Sequence, residues 1–143
     1  MVTELEKSYI AGFVDGEGCI FIAKGQGRYT MSVTIAQTKR GILDWIKSNW
    51  GGSIYCYHRP GSRNKNGIFV WRINSTAAAG FLSDTELYLR GKKEQAQIAL
   101  SFYAHTNHRK GVTQTPDYRE WCELMRSDLA CLKMPLGVSR SRA

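Results

Sequence analysis

Residues 9–18 read Tyr-Ile-Ala-Gly-Phe-Val-Asp-Gly-Glu-Gly, and this stretch decides the fold. A capping box formed by Thr3 and Glu6 predicts that a helix begins shortly before it. Gly12 and Gly16 lie four residues apart, so they share one face of this helix and leave that face bare. A bare helix face lets another backbone approach closely. The stretch therefore predicts a helix that packs tightly against a second backbone through its glycines.

Two carboxylates, Asp15 and Glu17, stand where this helix is expected to end. There they face the negative end of the helix dipole and the last unpaired carbonyl oxygens, an unfavourable arrangement for acids left alone. Carboxylate and carbonyl oxygens together suit a hard cation such as Mg²⁺. An ordinary helix that stops at a glycine and carries solvated acids would give the same pattern, because glycine commonly follows a helix. The residues alone leave both interpretations open.

Length and charge narrow the class of protein. The chain has 143 residues, which suggests one domain. It carries 20 Lys and Arg against 12 Asp and Glu, a net charge of +8 that favours a polyanionic partner. There is no signal-peptide pattern and no apolar run of membrane length, so we expect no membrane partner. Four cysteines without paired spacing indicate thiols in a reducing, intracellular compartment.

A first hairpin is predicted over residues 19–24 and 28–36, with a turn at 25–27. Its second strand alternates cleanly, with Met31, Val33 and Ile35 on one face. The other face carries side chains that can hydrogen-bond to base edges and phosphates, namely Arg28, Thr30, Ser32 and Thr34. A sheet face that is merely solvated would show the same alternation.

A helix over residues 42–50 leads into a second predicted hairpin, residues 53–59 and 68–73. The basic loop between its strands can follow a phosphate backbone or be an ordinary mobile surface loop. The register of the last strand is ambiguous, since either Phe69 and Trp71 or Ile68, Val70 and Arg72 could share the polar face. Helical patterns cover residues 75–82, 90–102 and 117–132. We expect one domain over residues 1–133 and a basic, flexible tail over 134–143.

Residues 10–18 resemble the LAGLIDADG motif of homing endonucleases at all nine positions when usual variants are counted. The motif is fairly specific, because it requires small residues, apolar residues and acids in a fixed order. The resemblance extends over roughly residues 5–133. It implies an α+β fold of order αββαββα(α), in which a four-stranded antiparallel sheet forms a saddle for the DNA major groove and the motif helix lies at a dimer interface.

The motif occurs once, and single-motif chains of this family form homodimers. The resemblance therefore implies a homodimeric, site-specific endonuclease that cuts a long, near-palindromic double-stranded DNA site by divalent-metal-dependent phosphodiester hydrolysis. The implied cofactor is Mg²⁺, and Mn²⁺ or Ca²⁺ can substitute for it in binding. The alternatives are a non-catalytic nucleic-acid binder, an intron RNA maturase, and a basic structural domain with a chance motif. Because homing enzymes are encoded in mobile elements, a chloroplast or mitochondrion, a bacterial cytoplasm and a phage are all possible origins.

The resemblance also implies roles for single residues. Glu17 is the implied catalytic acid and metal ligand, with the Gly16 carbonyl beside it. Gln37 matches a catalytic polar residue that shapes the solvent network of the active site. Lys92 matches a catalytic lysine that would stabilise charge at the phosphate, and Lys93 competes with Lys92 for that position. The implied dimer interface comprises Ala11, Gly12, Asp15 and Gly16. The implied DNA-binding residues are Lys24, Arg28, Thr30, Ser32, Thr34, Arg40 (with Lys39 as its competitor), Tyr55, Tyr57, Arg59, Arg63 and Lys65.

Overall fold

The computed structural model describes residues 1–58, 60, 61, 63, 67–107 and 115–133. The expectations for Arg59, Lys65 and the tail 134–143 lie outside these residues. The elements in chain order are α1 (Glu4–Glu17), β1 (Gly18–Gly25), β2 (Arg28–Gln37), α2 (Arg40–Trp50), β3 (Ser53–Tyr57), β4 (Ile68–Asn74), α3 (Ser75–Thr85), a short 3-10 helix (Glu86–Tyr88), α4 (Lys93–Asn107) and α5 (Pro116–Cys131).

The four strands form one antiparallel sheet in the order β1-β2-β4-β3. Each hairpin pairs with itself, and the hairpins join where β2 pairs with β4, for example Ile35 with Trp71. The predicted α+β fold with a four-stranded antiparallel sheet is confirmed. Three α-helices follow the sheet, where the helical patterns over residues 75–82, 90–102 and 117–132 predicted them, although the order αββαββα(α) counts only one or two. The break between the first two of these helices falls at Leu89, whose extended backbone separates α3 and the 3-10 helix from α4.

The helices cover one face of the sheet. Met31, Val33 and Ile35 of β2 point into this side and are at most 1% exposed, as their alternation predicted. Ile10 and Val14 bring α1 into the same core. Burial of such apolar surface is the main favourable term in folding, so this layer fixes α1 and the sheet relative to each other.

We call the opposite side of the sheet the open face. Residues paired across antiparallel strands share a face, so the register assigns its members. They include Cys19, Phe21 and Ala23 of β1, Arg28, Thr30, Ser32 and Thr34 of β2, Ile68, Val70, Arg72 and Asn74 of β4, and Tyr55 and Tyr57 of β3. Nearly all are partly or well exposed.

Every helix in the described ranges is too short or too polar to cross a membrane.

Candidate functional site

The junction between α1 and β1 is built on Gly18. Thr3 and Glu6 form the predicted capping box at the start of α1, and the helix ends at Glu17. The Gly18 N–H then donates to the Val14 carbonyl, and the chain turns directly into the sheet. A Cβ atom on Gly18 would lie 2.8 Å from the Val14 carbonyl oxygen, so only glycine fits without a shift. This close approach sets Glu17 at the corner where helix and sheet meet.

The Glu17 carboxylate is exposed and has no hydrogen-bond or ion-pair partner among the described residues. Nowhere among the described residues do three His, Cys, Asp or Glu side chains lie close enough together to form a metal site. A metal ion at Glu17 would therefore take its other ligands from backbone carbonyls, water or a second molecule. Such an all-oxygen set fits Mg²⁺, which retains several waters and uses only one or two carboxylates.

Asp15 points back into its own subunit. Its carboxylate accepts hydrogen bonds from the backbone N–H groups of Arg90 and Lys92, both at 2.9 Å. The Lys92 ammonium in turn donates to three carbonyl oxygens at the end of α1, those of Val14, Asp15 and Gly18. Lys92, expected near a scissile phosphate, thus lies beside the motif with its donors directed at the helix end.

Gln37 lies at the same end of the sheet as Glu17. It is the last residue of β2, two positions beyond Ile35, which pairs with Gly18. It is partly buried, and no hydrogen bond joins its side chain to Glu17. Arg40 follows at the start of α2, where it pairs with Asp44 at 3.2 Å and lies over the Phe69 ring. The structure brings these residues to one end of the sheet, although no hydrogen bond or ion pair joins them to Glu17 within the described residues.

The glycine face of α1 is exposed in the subunit. At Gly12 and Gly16, no atom of another described element lies within 4 Å of where a Cβ would sit. Leu5 and Tyr9 share this side of the helix and are 83% and 55% exposed. Ala11 is completely buried in the subunit core, so it is not part of this exposed face. Of the four residues expected at a dimer interface, the two glycines are exposed, Asp15 is partly exposed and Ala11 is buried.

Arg72 is a candidate site residue that sequence reasoning did not select. Trp71 is fully buried, so its neighbour Arg72 points to the open face, which resolves the register of β4. The Arg72 guanidinium donates to the Asn74 side chain at 3.2 Å and lies 5.5 Å from the centre of the Phe21 ring. Ser32 donates to the same Asn74 oxygen and is fully buried beneath this network. In the sequence, only the alternation of Arg72 with its apolar neighbour Trp71 indicates that Arg72 faces away from the core.

The remaining expected DNA-binding residues divide between the two faces. Lys24 lies on the helix-covered side, where it forms a 2.5 Å ion pair with Glu123 of α5. This hydrogen bond raises the pKa of Lys24 and lowers the pKa of Glu123. Tyr55 and Tyr57 are 46% and 50% exposed on the open face. Also on that face or exposed at its margin are Arg28, Thr30, Ser32, Thr34 and Arg63.

No protein-family model and no curated protein matches the sequence. Solved structures do match. The homing endonuclease I-CvuI in complex with a DNA target is 24% identical with a TM-score of 0.73, and the match covers 96% of this chain and 87% of that one. The archaeal intron-encoded homing endonuclease I-Vdi141I complexed with DNA is 20% identical with a TM-score of 0.73, and the match covers 97% and 90%.

A longer protein also matches. The LAGLIDADG meganuclease I-AabMI bound to uncleaved DNA is 22% identical with a TM-score of 0.64, and the match covers 93% of this chain but 46% of that one. The chain therefore has the fold of LAGLIDADG homing endonucleases, and the resemblance drawn from residues 10–18 is confirmed at the level of the fold.

Proposed function

We propose that this chain is a site-specific DNA endonuclease of the LAGLIDADG homing type, acting as a homodimer on a long, near-palindromic duplex. The observation that carries the proposal is the position of Glu17. This exposed carboxylate, without a partner in the described ranges, ends the motif helix at the corner of an open sheet face. The fold is shared with proteins solved in complex with DNA, I-CvuI and I-Vdi141I.

The glycine face of α1 supports the homodimer. Two copies of α1 related by a twofold axis could bring Gly12 and Gly16 of each subunit into close backbone contact. The same contact would remove Leu5 and Tyr9 from water. The match to this chain covers 46% of I-AabMI, so two copies of this chain would be about as long as I-AabMI. Such a dimer would hold two Glu17 carboxylates on either side of the axis, one for each DNA strand.

The open face supports binding to a DNA groove. Its centre carries Arg72 and Thr34, which are paired across β4 and β2, and its outer strand carries Tyr55 and Tyr57. An arginine can form two hydrogen bonds to guanine, and hydroxyl groups can pair with either donors or acceptors on base edges. Arg63 is exposed in the loop between β3 and β4, where it would contact phosphates. A net charge of +8 per subunit favours association with the duplex.

Catalysis would take place at the corner formed by Glu17. The Glu17 carboxylate and the Gly16 carbonyl would hold a divalent cation, with Mg²⁺ as the expected ion. When bound, this ion supplies charge neutralisation at the scissile phosphate and an activated water. Gln37, at the same end of the sheet, has an amide that both donates and accepts, which suits it to orient a water molecule. The remaining polar groups of the corner then have only to bind and orient the phosphate.

The proposal is tested by incubating the protein with a randomised duplex library and Mg²⁺ and sequencing the cut ends. We expect enrichment of near-palindromic sites with cuts near their centre, and no cuts when EDTA is added. If duplexes are selected but never cut, the chain is a nucleic-acid binder without nuclease activity, and intron RNA becomes the next ligand to test. If no duplex is selected, the proposed function is wrong.

A further inference from the structure

We infer that Lys92 is a positioning residue, which joins with Asp15 to fix the end of α1 and thereby the metal ligands Glu17 and Gly16. The inference rests on the proposed function, because it assigns a role within the same site. We call the set of hydrogen bonds between Asp15, the α1 end and residues 90–92 the clasp. The clasp gives Lys92 a different role from the phosphate contact implied by the family resemblance.

The end of α1 lacks a cation of its own. Its last turn contains Asp15 and Glu17 and no basic residue, although a positive charge is what the negative end of a helix dipole favours. Lys92 supplies that charge from a distant part of the sequence. Its ammonium lies 2.9 Å from the Val14 carbonyl oxygen, 3.1 Å from that of Asp15 and 2.6 Å from that of Gly18.

These three contacts occupy the whole hydrogen-bonding capacity of the Lys92 ammonium. A lysine has three N–H donors and no acceptor. With three carbonyl acceptors already in place, a direct bond to a phosphate would require one of these contacts to break. The exposed neighbour Lys93, the first residue of α4, has no hydrogen bond or ion pair from its side chain within the described residues. Lys92 is therefore committed to the helix end, whereas Lys93 is available to solvent.

Asp15 completes the clasp from the other side. One oxygen of its carboxylate accepts from the Arg90 N–H and the other from the Lys92 N–H, across 75 and 77 residues of sequence. Hydrogen bonds thus run in both directions between α1 and the segment that leads into α4. Glu17 lies between two residues held by Lys92, namely Asp15 and Gly18. Its backbone is fixed on both sides while its carboxylate stays exposed, which is how a preorganised metal ligand is held.

The test compares Lys92→Met with Lys93→Met, two substitutions that remove the same charge from adjacent positions. Met keeps the length of the side chain and removes its donors. If the clasp positions Glu17 and Gly16, Lys92→Met should loosen the α1 end and weaken metal binding without weakening DNA binding. Asp15→Asn, which removes charge from the other side of the clasp, should give a smaller effect of the same kind. It serves as the second variant if Lys92→Met fails to fold.

The first measurement is amide hydrogen exchange on the protein without DNA or metal. The reporter is the Gly18 N–H, which donates to the Val14 carbonyl at the helix end. We expect its exchange to be about tenfold faster in Lys92→Met, the size expected for a charge at a partly buried helix terminus. Exchange at Val33 in the core should stay the same, and Lys93→Met should match the wild type. Unchanged exchange at Gly18 in Lys92→Met would overturn the clasp, whether or not the protein cuts DNA.

The second measurement uses the duplex that the wild type selects. We expect Lys92→Met to raise the Mg²⁺ concentration for half-maximal cleavage about ten- to a hundredfold and to weaken Ca²⁺ binding to the protein–duplex complex similarly by calorimetry. The Kd for the duplex without metal should not change. A slower rate at saturating Mg²⁺, with unchanged half-saturation and Ca²⁺ affinity, would assign Lys92 a phosphate contact and overturn the inference. If the wild type cuts nothing, the proposed function fails, and the exchange result alone decides whether the clasp exists.

Discussion

The Lys24 ammonium lies 2.5 Å from the Glu123 carboxylate, and the Tyr29 hydroxyl donates to the same oxygen at 2.7 Å. These contacts join α5 to the edge hairpin on the helix-covered side of the sheet. Lys24 is thereby directed away from the open face and towards a structural partner, although it is one of the two exposed residues at the end of β1.

The first prediction concerns pH. The Lys24 ammonium, and next the Tyr29 hydroxyl, hold the pKa of Glu123 below its ordinary 4.5. Because the folded pKa is the lower one, the contribution of Glu123 is complete above the unfolded pKa and is lost as pH falls through the folded pKa. We expect Glu123→Gln to lower the free energy of unfolding at pH 7 and to have no effect in acid well below pH 4.5. Urea denaturation at both pH values measures this, and an equal loss at both would refute it.

The second prediction concerns Arg72. If this side chain reads a guanine from the open face, Arg72→Met should reduce discrimination at one base pair per half-site by about 1–3 kcal/mol. The other positions of the site should keep their preferences. Lys24→Met is the matched control, since it removes a cation of the same sheet from the opposite face. Competition binding with single-base variants of the selected duplex measures the effect, and an unchanged preference profile in Arg72→Met would exclude base reading by this residue.

The third prediction concerns dimerisation. A Cβ atom at Gly12 would meet no atom of another described element within 4 Å, and replacing a helix glycine by leucine improves helix propensity by somewhat less than about 1 kcal/mol. The monomer of Gly12→Leu should therefore be at least as stable as the wild-type monomer. Two such monomers should fail to pair through α1. Gly80→Leu, at an exposed helix glycine with equally open surroundings, is the control. Analytical ultracentrifugation distinguishes them, and a Gly12→Leu dimer of wild-type affinity would contradict the packing of α1.

The fourth prediction concerns the junction at Gly18. A Cβ there would come within 2.8–2.9 Å of three atoms of Val14, two of them backbone. Gly18→Ala must displace the end of α1 from β1, and overpacking of this kind typically costs about 1–3 kcal/mol. Thermal unfolding should show this loss, whereas Gly25→Ala, where no such contact exists, should leave the melting temperature nearly unchanged. A Gly18→Ala protein as stable as the wild type would show that the junction is not sterically closed.

The alternation of β2 predicted its buried face correctly, because a period of two in a half-buried strand leaves few alternatives. The register of β4 could not be read in the same way. Residues 68–73 carry apolar side chains on both faces, and only the pairing of Trp71 with Ile35 decides between them. Lys24 shows the converse case. Its alternation with Ile20 and Ile22 already assigned it to the covered face, but its charge suggested an exposed one.

The clasp was beyond the reach of sequence reasoning for a different reason. Asp15 and Lys92 are separated by 77 residues, and no local pattern indicates which lysine approaches the end of α1. The burial of Ala11 was not predicted, because the family resemblance placed Ala11 at the dimer interface, whereas it packs in the core with Ile10 and Val14. Gly12 and Gly16 were placed correctly on one face of the helix, because their spacing alone determines this.

The most direct test of the account is cleavage of the selected duplex by Glu17→Gln beside the wild type, with Glu120→Gln as a control at an exposed acid of α5. The Glu17 carboxylate has no partner in the described structure, so both variants should keep the wild-type melting temperature and the wild-type Kd for the duplex without metal. We predict that Glu17→Gln cuts at less than about a hundredth of the wild-type rate in Mg²⁺, since it loses a direct metal ligand, and that Glu120→Gln cuts normally. Cleavage by Glu17→Gln at the wild-type rate would contradict the central claim.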